Sequence, residues 1–162
     1  MKKVFFILSL SLLILGGFFF SANQIVANVD FTTLNGEKLS LEKLRDKPVV
    51  VTFWATDCEN CLKEIPLFID LHERYHAQGL EILGVSMYYD PPNHVIEFNK
   101  SRPLPYLVTL DIEATFAKAF GNVKVTPTTF LLDSKGKIVW QKVGLIEGSE
   151  LQPLIEKLLQ EK

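Results

Sequence analysis

Two cysteines, Cys58 and Cys61, are the side chains of this sequence best suited to covalent chemistry. They are the only cysteines in the chain, and two residues separate them. A disulfide at this spacing closes too small a loop to constrain the unfolded chain much, so a purely structural bridge is a weak explanation. A thiol pair can instead exchange electrons with another disulfide. Zinc binding and an inert pair stay open, but zinc takes about four ligands and no second Cys-x-x-Cys is present.

The segment Leu71–Gly79 contains a second pattern of reactive side chains, His-Glu-x-x-His. On a helix this spacing places His72 and His76 on one face with Glu73 beside them, as in many zinc proteases. One class of these enzymes has a further histidine at what is position 82 here, and that residue is an isoleucine. We therefore interpret the match as accidental rather than as a metal site, with one or both histidines at the edge of a packed helix face.

The segments around the cysteines alternate between buried strands and helices. Pro48–Ala55 is a run of β-branched and aromatic residues, the pattern of a strand buried on both faces. A helical pattern follows as far as Gly79, and then a strand, a helix, a short strand, a short helix and a two-stranded hairpin. A closing amphipathic helix has Ser149 as its predicted N-cap. This order predicts an α/β fold with a central mixed sheet flanked by helices, and Asn35-Gly36 predicts an N-terminal hairpin before it.

The cysteines fall between the first buried strand and the helix that follows it. The N-terminus of a helix has unpaired N–H groups and the positive end of the helix dipole, and both stabilise a thiolate. Cys58, at the start of the helix, is therefore the predicted nucleophile. Cys61, one turn later, is predicted to be more buried, and it can attack a mixed disulfide on Cys58 to release the product.

The first 27 residues differ in composition from the rest of the chain. Lys2 and Lys3 precede an apolar run over residues 4–22, close to the roughly 20 residues that span a bilayer. Residues 1–27 are thus predicted to be a signal peptide or an N-terminal membrane anchor, with the two lysines on the cytoplasmic side. Under either alternative, residues 28–162 form one domain on the periplasmic side of the inner membrane or its equivalent, anchored or secreted.

The exported part is mildly acidic. Lys2 and Lys3 are the only charged residues of the leader, so 15 basic and 19 acidic residues remain, a formal net charge of −4. No basic run or aromatic-rich basic face is present, which argues against a nucleic acid as a partner.

Several short motifs resemble one family in combination. Trp54-Ala55-x-x-Cys58-x-x-Cys61 is followed by Glu64 and Pro66, and by Thr126-Pro127-Thr128 further on. Together they resemble the TlpA/ResA-like thiol:disulfide oxidoreductases of the thioredoxin superfamily, over nearly all of the chain from Val29 onward. The resemblance implies a thioredoxin-like fold, in which the segment between Gly79 and Val125 holds the central insertion of that family.

The resemblance also implies roles for residues outside the cysteine pair. Pro127 matches a cis-proline that lies against the cysteines, or else it merely opens a strand. The backbone of Thr126 would pair with an extended substrate strand. Glu64 matches an acid that tunes the cysteines and handles the proton of Cys61; the alternative is a solvated carboxylate near the helix start. Trp54 would shield the site and contact the substrate, or serve ordinary core packing.

The sequence departs from that family around the first cysteine. Asp57 stands where an aromatic residue is common, Glu59 lies between the cysteines, and Thr52 stands where thioredoxin keeps a buried aspartate. The negative charges of Asp57 and Glu59 should raise the pKa of the Cys58 thiol and weaken its oxidising power. The departures therefore favour a reductant.

The predicted reaction is dithiol–disulfide exchange with another protein. By resemblance, one substrate would be apocytochrome c, whose Cys-x-x-Cys-His is reduced before haem attachment. A membrane electron donor would then reduce the Cys58–Cys61 disulfide again, and neither a cofactor nor a metal is expected. Two alternatives stay open. The first is a peroxiredoxin-like peroxidase, although that chemistry requires a threonine at the position of Ala55. The second is a non-catalytic binding module, which would use only the groove beside Pro127.

Overall fold

The structure, a computed structural model, describes residues 25–161. The strands are β1 Asp30–Thr32, β2 Lys38–Ser40, β3 Val49–Trp54, β4 Glu81–Ser86, β5 Leu107–Leu110, β6 Thr128–Leu132 and β7 Ile138–Val143. The helices are α1 Glu59–Tyr75, α2 Pro92–Ser101, α3 Thr115–Ala119 and α4 Gly148–Gln160. Five strands form one mixed sheet in the order β5-β4-β3-β6-β7, in which β6 runs in one direction and the other four strands run in the opposite direction. The predicted α/β, thioredoxin-like architecture is confirmed.

The central strand β3 is covered on both sides. All six of its residues are buried, and successive side chains of a strand point to opposite faces. Val51 and Phe53 join a core with the hairpin and α3, whereas Val50 and Trp54 join a core with α1, α2 and α4. The apolar run of β3 is unbroken because other elements cover both faces of the sheet, the hairpin and α3 on one side and α1, α2 and α4 on the other.

The predicted N-terminal hairpin is also confirmed. β1 and β2 pair antiparallel across a turn in which Gly36 has a φ of 83°, a conformation that glycine adopts without steric cost. Past β1 the chain meets the edge of the main sheet, where the Leu34 N–H donates to the Val108 carbonyl oxygen at 2.9 Å. The hairpin thus covers part of the otherwise open edge of β5.

The predicted start of the last helix is wrong in one detail. Ser149 lies inside α4, and Glu147 is the N-cap. The Glu147 side chain accepts a hydrogen bond from the N–H of Glu150, while the Glu150 carboxylate accepts the Glu147 N–H at 3.0 Å. This reciprocal capping box satisfies two free N–H groups at once, which explains why it prevails over a serine two residues later.

The described chain enters the domain at the end of the sheet opposite the cysteines. Ile25 forms a bridge with Lys137 in the turn between β6 and β7, beside the first residue of β3. Cys58 follows the last residue of the same strand. Val26 is buried in the core, and its N–H donates to the Gly136 carbonyl oxygen at 2.9 Å, so Val26 packs with the domain although the sequence places it in the leader.

The rest of the predicted leader, residues 1–24, lies outside the described residues. Within residues 25–161, no helix combines the length and the apolar character needed to cross a bilayer.

Candidate active site

The two cysteines lie between β3 and the first turn of α1. Cys58 is the N-cap of α1, and the two sulfurs form a disulfide with 5.2 Å between the Cα atoms. Cys58 Sγ also accepts a hydrogen bond from the Cys61 N–H at 3.2 Å, one of the N–H groups that a helix leaves unpaired at its start. Cys61 is only 2% exposed, whereas Cys58 is half-buried. A partner can therefore reach Cys58 before Cys61.

A loop with a cis peptide bond lies beside the cysteines. The bond between Thr126 and Pro127 is cis, and β6 follows it directly, antiparallel to the last residues of β3. Continuing that pairing places Thr126 and Pro127 next to the loop that leads to Cys58. Thr126 is half-buried, and its Oγ1 lies 3.2 Å from the hydroxyl of Tyr89, which follows β4. Thr126 and Pro127 are thus brought to the same end of the sheet as Cys58.

Glu64 is a buried carboxyl group one turn after Cys61. It is 2% exposed, and its Oε1 accepts a hydrogen bond from the Ile146 N–H at 2.6 Å. Its Oε2 has no hydrogen-bond partner among residues 25–161. Burial raises the pKa of Glu64 to about 7, although the Ile146 N–H and the positive charge of Lys142 act in the opposite direction. Glu64 is therefore not a solvated carboxylate, and near neutral pH it can both accept and release a proton.

Groups from two other elements influence Glu64. Lys142 on β7 donates to a carboxylate oxygen of Glu150 at 2.7 Å, which holds its positive charge near the start of α4. Tyr106, just before β5, is buried, and burial together with the charge of Glu64 raises the pKa of its phenol. Tyr106 therefore stays neutral at physiological pH, and Lys142 is the charged group that, together with the Ile146 N–H, favours the ionised form of Glu64.

The aspartate position of thioredoxin has a different side chain here. Thr52 is buried in β3, and its Oγ1 accepts a hydrogen bond from the Thr129 hydroxyl at 3.1 Å. A neutral hydroxyl pair cannot take up a proton as a carboxylate does. Glu64 is thus the buried acid on the helix that carries Cys61.

Trp54 lies within the core rather than on the surface. It is 5% exposed, it shares a core with Cys61, and its ring centroid is 5.4 Å from that of Phe98 on α2. Gly84 leaves room for it, since a Cβ at that position would come within 3.3 Å of Trp54 Nε1. The geometry favours the packing role for Trp54, and its contact with a substrate stays a prediction.

The two acidic residues beside Cys58 differ in their surroundings. Asp57 is exposed in the loop before α1. Glu59 is exposed too, but Lys63 pairs with it at 2.7 Å, and that hydrogen bond and charge lower the pKa of Glu59. Because Lys63 offsets the charge of Glu59, the effect expected on the Cys58 thiol falls mainly to Asp57.

Sequence reasoning missed a second buried carboxyl group, Asp90. It is 6% exposed and lies shortly after β4. One of its oxygens accepts the Thr56 N–H and the other accepts the Thr56 hydroxyl, both at 2.7 Å, and the Ser86 hydroxyl donates at 3.4 Å. Thr56 lies two residues before Cys58. The prolines after Asp90 predict a helix start, but no local pattern links Asp90 to a residue 34 positions earlier.

The His-Glu-x-x-His segment lies at the far end of α1 from the cysteines. The rings of His72 and His76 stack with centroids 4.4 Å apart, and His76 Nδ1 lies 2.9 Å from Glu81 Oε1. The pKa of His72 is lowered, mainly because the ring is partly buried. Within residues 25–161, no three His, Cys, Asp or Glu side chains are grouped so that they could hold a metal ion. His72 is half-buried at the edge of the packed helix face, whereas His76 is exposed, stacked on His72 and paired with Glu81.

The arrangement at Cys58 has the parts that disulfide exchange needs. An accessible sulfur lies at a helix N-terminus, and a shielded sulfur lies within bonding distance of it. A buried acid with a pKa of about 7 follows one turn later, in Glu64. Such a site can pass two electrons between its own cysteine pair and the disulfide of another molecule.

Comparison with known proteins leads to the same chemistry. The Redoxin family matches residues 21–154. Thiol-disulfide oxidoreductase ResA of Bacillus thuringiensis subsp. konkukian (strain 97-27) is 30% identical over 132 residues, which are 81% of this chain and 75% of that protein. ResA of Bacillus subtilis (strain 168) is 35% identical over 71% of this chain and 63% of its own length.

A solved structure supports the fold. The crystal structure of a thiol:disulfide interchange protein of the thioredoxin family from Chlorobium tepidum TLS superposes with a TM-score of 0.76, covering 85% of this chain and 97% of that one. At 22% identity, this likeness concerns the fold alone. With the disulfide at the N-terminus of α1 and the match to the ResA proteins, the chain belongs to the Redoxin family and is a thiol-disulfide oxidoreductase of the ResA type.

Proposed function

We propose that this enzyme reduces disulfides of other proteins, and that the half-buried Cys58 with the buried Glu64 behind its partner cysteine is the observation that carries this function. In the reduced protein, the Cys58 thiolate attacks one sulfur of the substrate disulfide, and the other substrate sulfur leaves and takes up a proton. Cys61 then loses its proton and attacks Cys58 Sγ, which releases the second substrate sulfur. Two electrons pass to the substrate, and the Cys58–Cys61 disulfide remains.

Glu64 is proposed to accept the proton of Cys61 in the second step. A general base works best when its pKa lies near the working pH, and burial raises the pKa of Glu64 to about 7. Its Oε2 has no hydrogen-bond partner among the described residues, so that oxygen is free to take the proton. The position one turn after Cys61 puts the two side chains on the same face of α1.

The substrate is proposed to be an extended protein segment such as the Cys-x-x-Cys-His of apocytochrome c. Thr126, before the cis bond to Pro127, offers backbone next to Cys58 with which an extended segment can pair. The relatives named above are thiol-disulfide oxidoreductases, and the resemblance to the TlpA/ResA-like group adds the cytochrome role. Trp54 is proposed to support this groove by packing beneath it.

The enzyme is proposed to act on the outer side of the cytoplasmic membrane. The apolar run over residues 4–22 after two lysines supports an anchor or an export signal. In an oxidising compartment the Cys58–Cys61 disulfide needs a source of electrons, which we propose to be a membrane donor on the same side.

Trapping of the intermediate tests this function. The reduced full-length protein is mixed with an oxidised Cys-x-x-Cys-His peptide, and products are separated without reductant. The wild type should release the reduced peptide, Cys61→Ser should accumulate a mixed disulfide through Cys58, and Cys58→Ser should do neither. A Cys58→Ser variant that still reduces the peptide would refute the mechanism.

The reduction potential of the pair tests the direction of electron flow. The full-length protein is equilibrated with glutathione buffers, and its dithiol fraction is measured. A value near or below about −230 mV fits a reductant. A value near about −120 mV is typical of proteins that donate disulfides, and it would refute the reducing role.

A further inference from the structure

The loop that presents Cys58 is held by one side chain from the loop after β4, Asp90. Asp90 receives both the N–H and the hydroxyl of Thr56 at 2.7 Å, so a single carboxylate fixes backbone and side chain of the same residue. The loop forms a tight turn, in which the Cys58 N–H donates to the Ala55 carbonyl oxygen at 3.2 Å. Fixing Thr56 therefore fixes the position from which α1 and Cys58 start.

Asp90 is a buried negative group with neutral partners only. Its hydrogen-bond donors are Thr56 and Ser86, and no lysine, arginine or histidine forms an ion pair with it in the described part of the chain. Both oxygens accept hydrogen bonds, and none of the donors carries a positive charge. Two residues span at most about 7 Å, and the Thr56 N–H lies 2.7 Å from the carboxylate, so the Asp90 carboxylate lies within about 11 Å of the Cys58 Cα.

We propose that Asp90 is a positioning residue for disulfide exchange, and that its buried charge biases the cysteine pair toward the disulfide. A negative charge nearby makes the Cys58 thiolate less stable and leaves the neutral disulfide unaffected. The reduced pair then gives up its electrons more readily. The inference concerns the exchange reaction itself, so it stands whichever protein the proposed function has as its substrate.

The other charged groups near Cys58 differ from Asp90 in their surroundings. Asp57 is exposed, and Glu59 is exposed and paired with Lys63, so water and the lysine reduce their effect on the sulfur. Glu64 is buried, but it lies one turn beyond Cys61 on α1 and is partly protonated at neutral pH. Asp90 thus combines burial with a direct link to the loop before Cys58.

Two substitutions separate the charge of Asp90 from its holding role. Asp90→Asn removes the charge and one acceptor. Thr56→Val keeps the shape of the side chain and the charge of Asp90, but it removes one donor and so leaves that charge less compensated. If the charge acts on Cys58, the two variants should shift its thiol in opposite directions. A role in folding alone would shift both in the same direction or neither.

The test uses full-length protein and glutathione, with no protein substrate. The Cys58–Cys61 disulfide and two glutathione thiols exchange to the protein dithiol and glutathione disulfide, and the equilibrium constant is measured at pH 8. The pKa of the Cys58 thiol is followed by the pH dependence of its alkylation. Thermal unfolding of each variant checks that it is folded.

Asp90→Asn should raise the acid dissociation constant of the Cys58 thiol about tenfold, the size expected for one charge at about 10 Å and an effective dielectric constant of about 20. The equilibrium at pH 8 should move toward the dithiol by up to the same factor, which is reached when the Cys58 thiol is fully ionised. A tenfold change equals about 30 mV in potential for a two-electron couple. The pKa of the Cys58 thiol should fall in parallel. Thr56→Val should move both quantities the other way and by a smaller factor, because it removes one neutral donor and leaves the charge of Asp90 in place.

Asp57→Asn is the matched control, because it removes an exposed carboxylate next to Cys58. Its shift should be smaller than that of Asp90→Asn. A folded Asp90→Asn protein with unchanged equilibrium and thiol pKa would overturn the proposal, and so would an equal or larger shift from Asp57→Asn. If Asp90→Asn does not fold, Thr56→Val alone tests the proposal. The proposal is then refuted if Thr56→Val leaves the pKa of the Cys58 thiol unchanged or moves the equilibrium toward the dithiol.

Discussion

Replacing Glu64 with glutamine should remove a loss of stability that sets in as pH rises. The pKa of Glu64 is raised from 4.5 to about 7 in the folded protein. Between these values the unfolded chain has released the proton that the folded protein keeps, so the free energy of unfolding falls as pH increases. Below about pH 4.5 the group is protonated in both states and has no effect; above about pH 7 the loss is complete.

The size of the effect follows from the two pKa values. The difference between 4.5 and about 7 corresponds to roughly 3 kcal/mol of unfolding free energy. Glutamine keeps an acceptor for the Ile146 N–H and, like protonated Glu64, has one donor end without a partner. Glu64→Gln and wild type should therefore match within about 1 kcal/mol at pH 4. At pH 8 the variant should be more stable by roughly 3 kcal/mol.

Urea unfolding of the oxidised protein, followed by tryptophan fluorescence between pH 4 and pH 8, measures this difference. With a slope of about 2 kcal/mol per molar urea, the midpoint of Glu64→Gln at pH 8 should lie about 1.5 M above that of wild type. Glu97→Gln, at an exposed position on α2, serves as control and should follow the wild-type curve. Equal pH dependence in wild type and Glu64→Gln would refute the reasoning.

Two further substitutions probe the surroundings of this site. Lys142→Met should raise the pKa of Glu64 further, because the positive charge of Lys142 favours the ionised form. In the urea assay, the pH above which the free energy of unfolding stops falling should therefore be higher than in the wild type. An unchanged or lower pH would contradict the role assigned to Lys142. Gly84→Ala should lower the free energy of unfolding by about 1–2 kcal/mol, because its Cβ would meet Trp54 Nε1 at 3.3 Å and Tyr106 Cε2 at 3.4 Å. A urea midpoint equal to that of the wild type would contradict this and would show that both rings can move aside.

The fold and the cysteine site could be predicted because their signals are local. The β3 run, the Cys-x-x-Cys that follows it and the helical period of α1 lie in one short stretch, and burial on both faces imposes the unbroken apolar pattern. The position of Cys58 at the helix start then follows from chain order alone. The pairing of Glu59 with Lys63 is also local, since residues four apart on a helix are neighbours, and it weakens the charge effect expected from the sequence.

The contacts that surround the cysteines could not be predicted in the same way. Asp90 meets Thr56 across 34 positions, and Glu64 meets the Ile146 N–H across 82. Such pairs depend on strand order and register, and no periodicity records them. The wrong N-cap at Ser149 has a different cause, because two overlapping cap patterns compete there and the reciprocal one satisfies more N–H groups.

The described chain enters the domain at the end of the sheet opposite Cys58, which would set the distance between Cys58 and a membrane if residues 4–22 anchor the protein there. β3 has six residues and is therefore about 20 Å long, so Ile25 and Cys58 are at least about that far apart. A domain anchored through residues 4–22 would have the Cys58 sulfur at the end of the domain that lies farther from the membrane. It would meet partner cysteines that stand well clear of the membrane more readily than cysteines beside the headgroups.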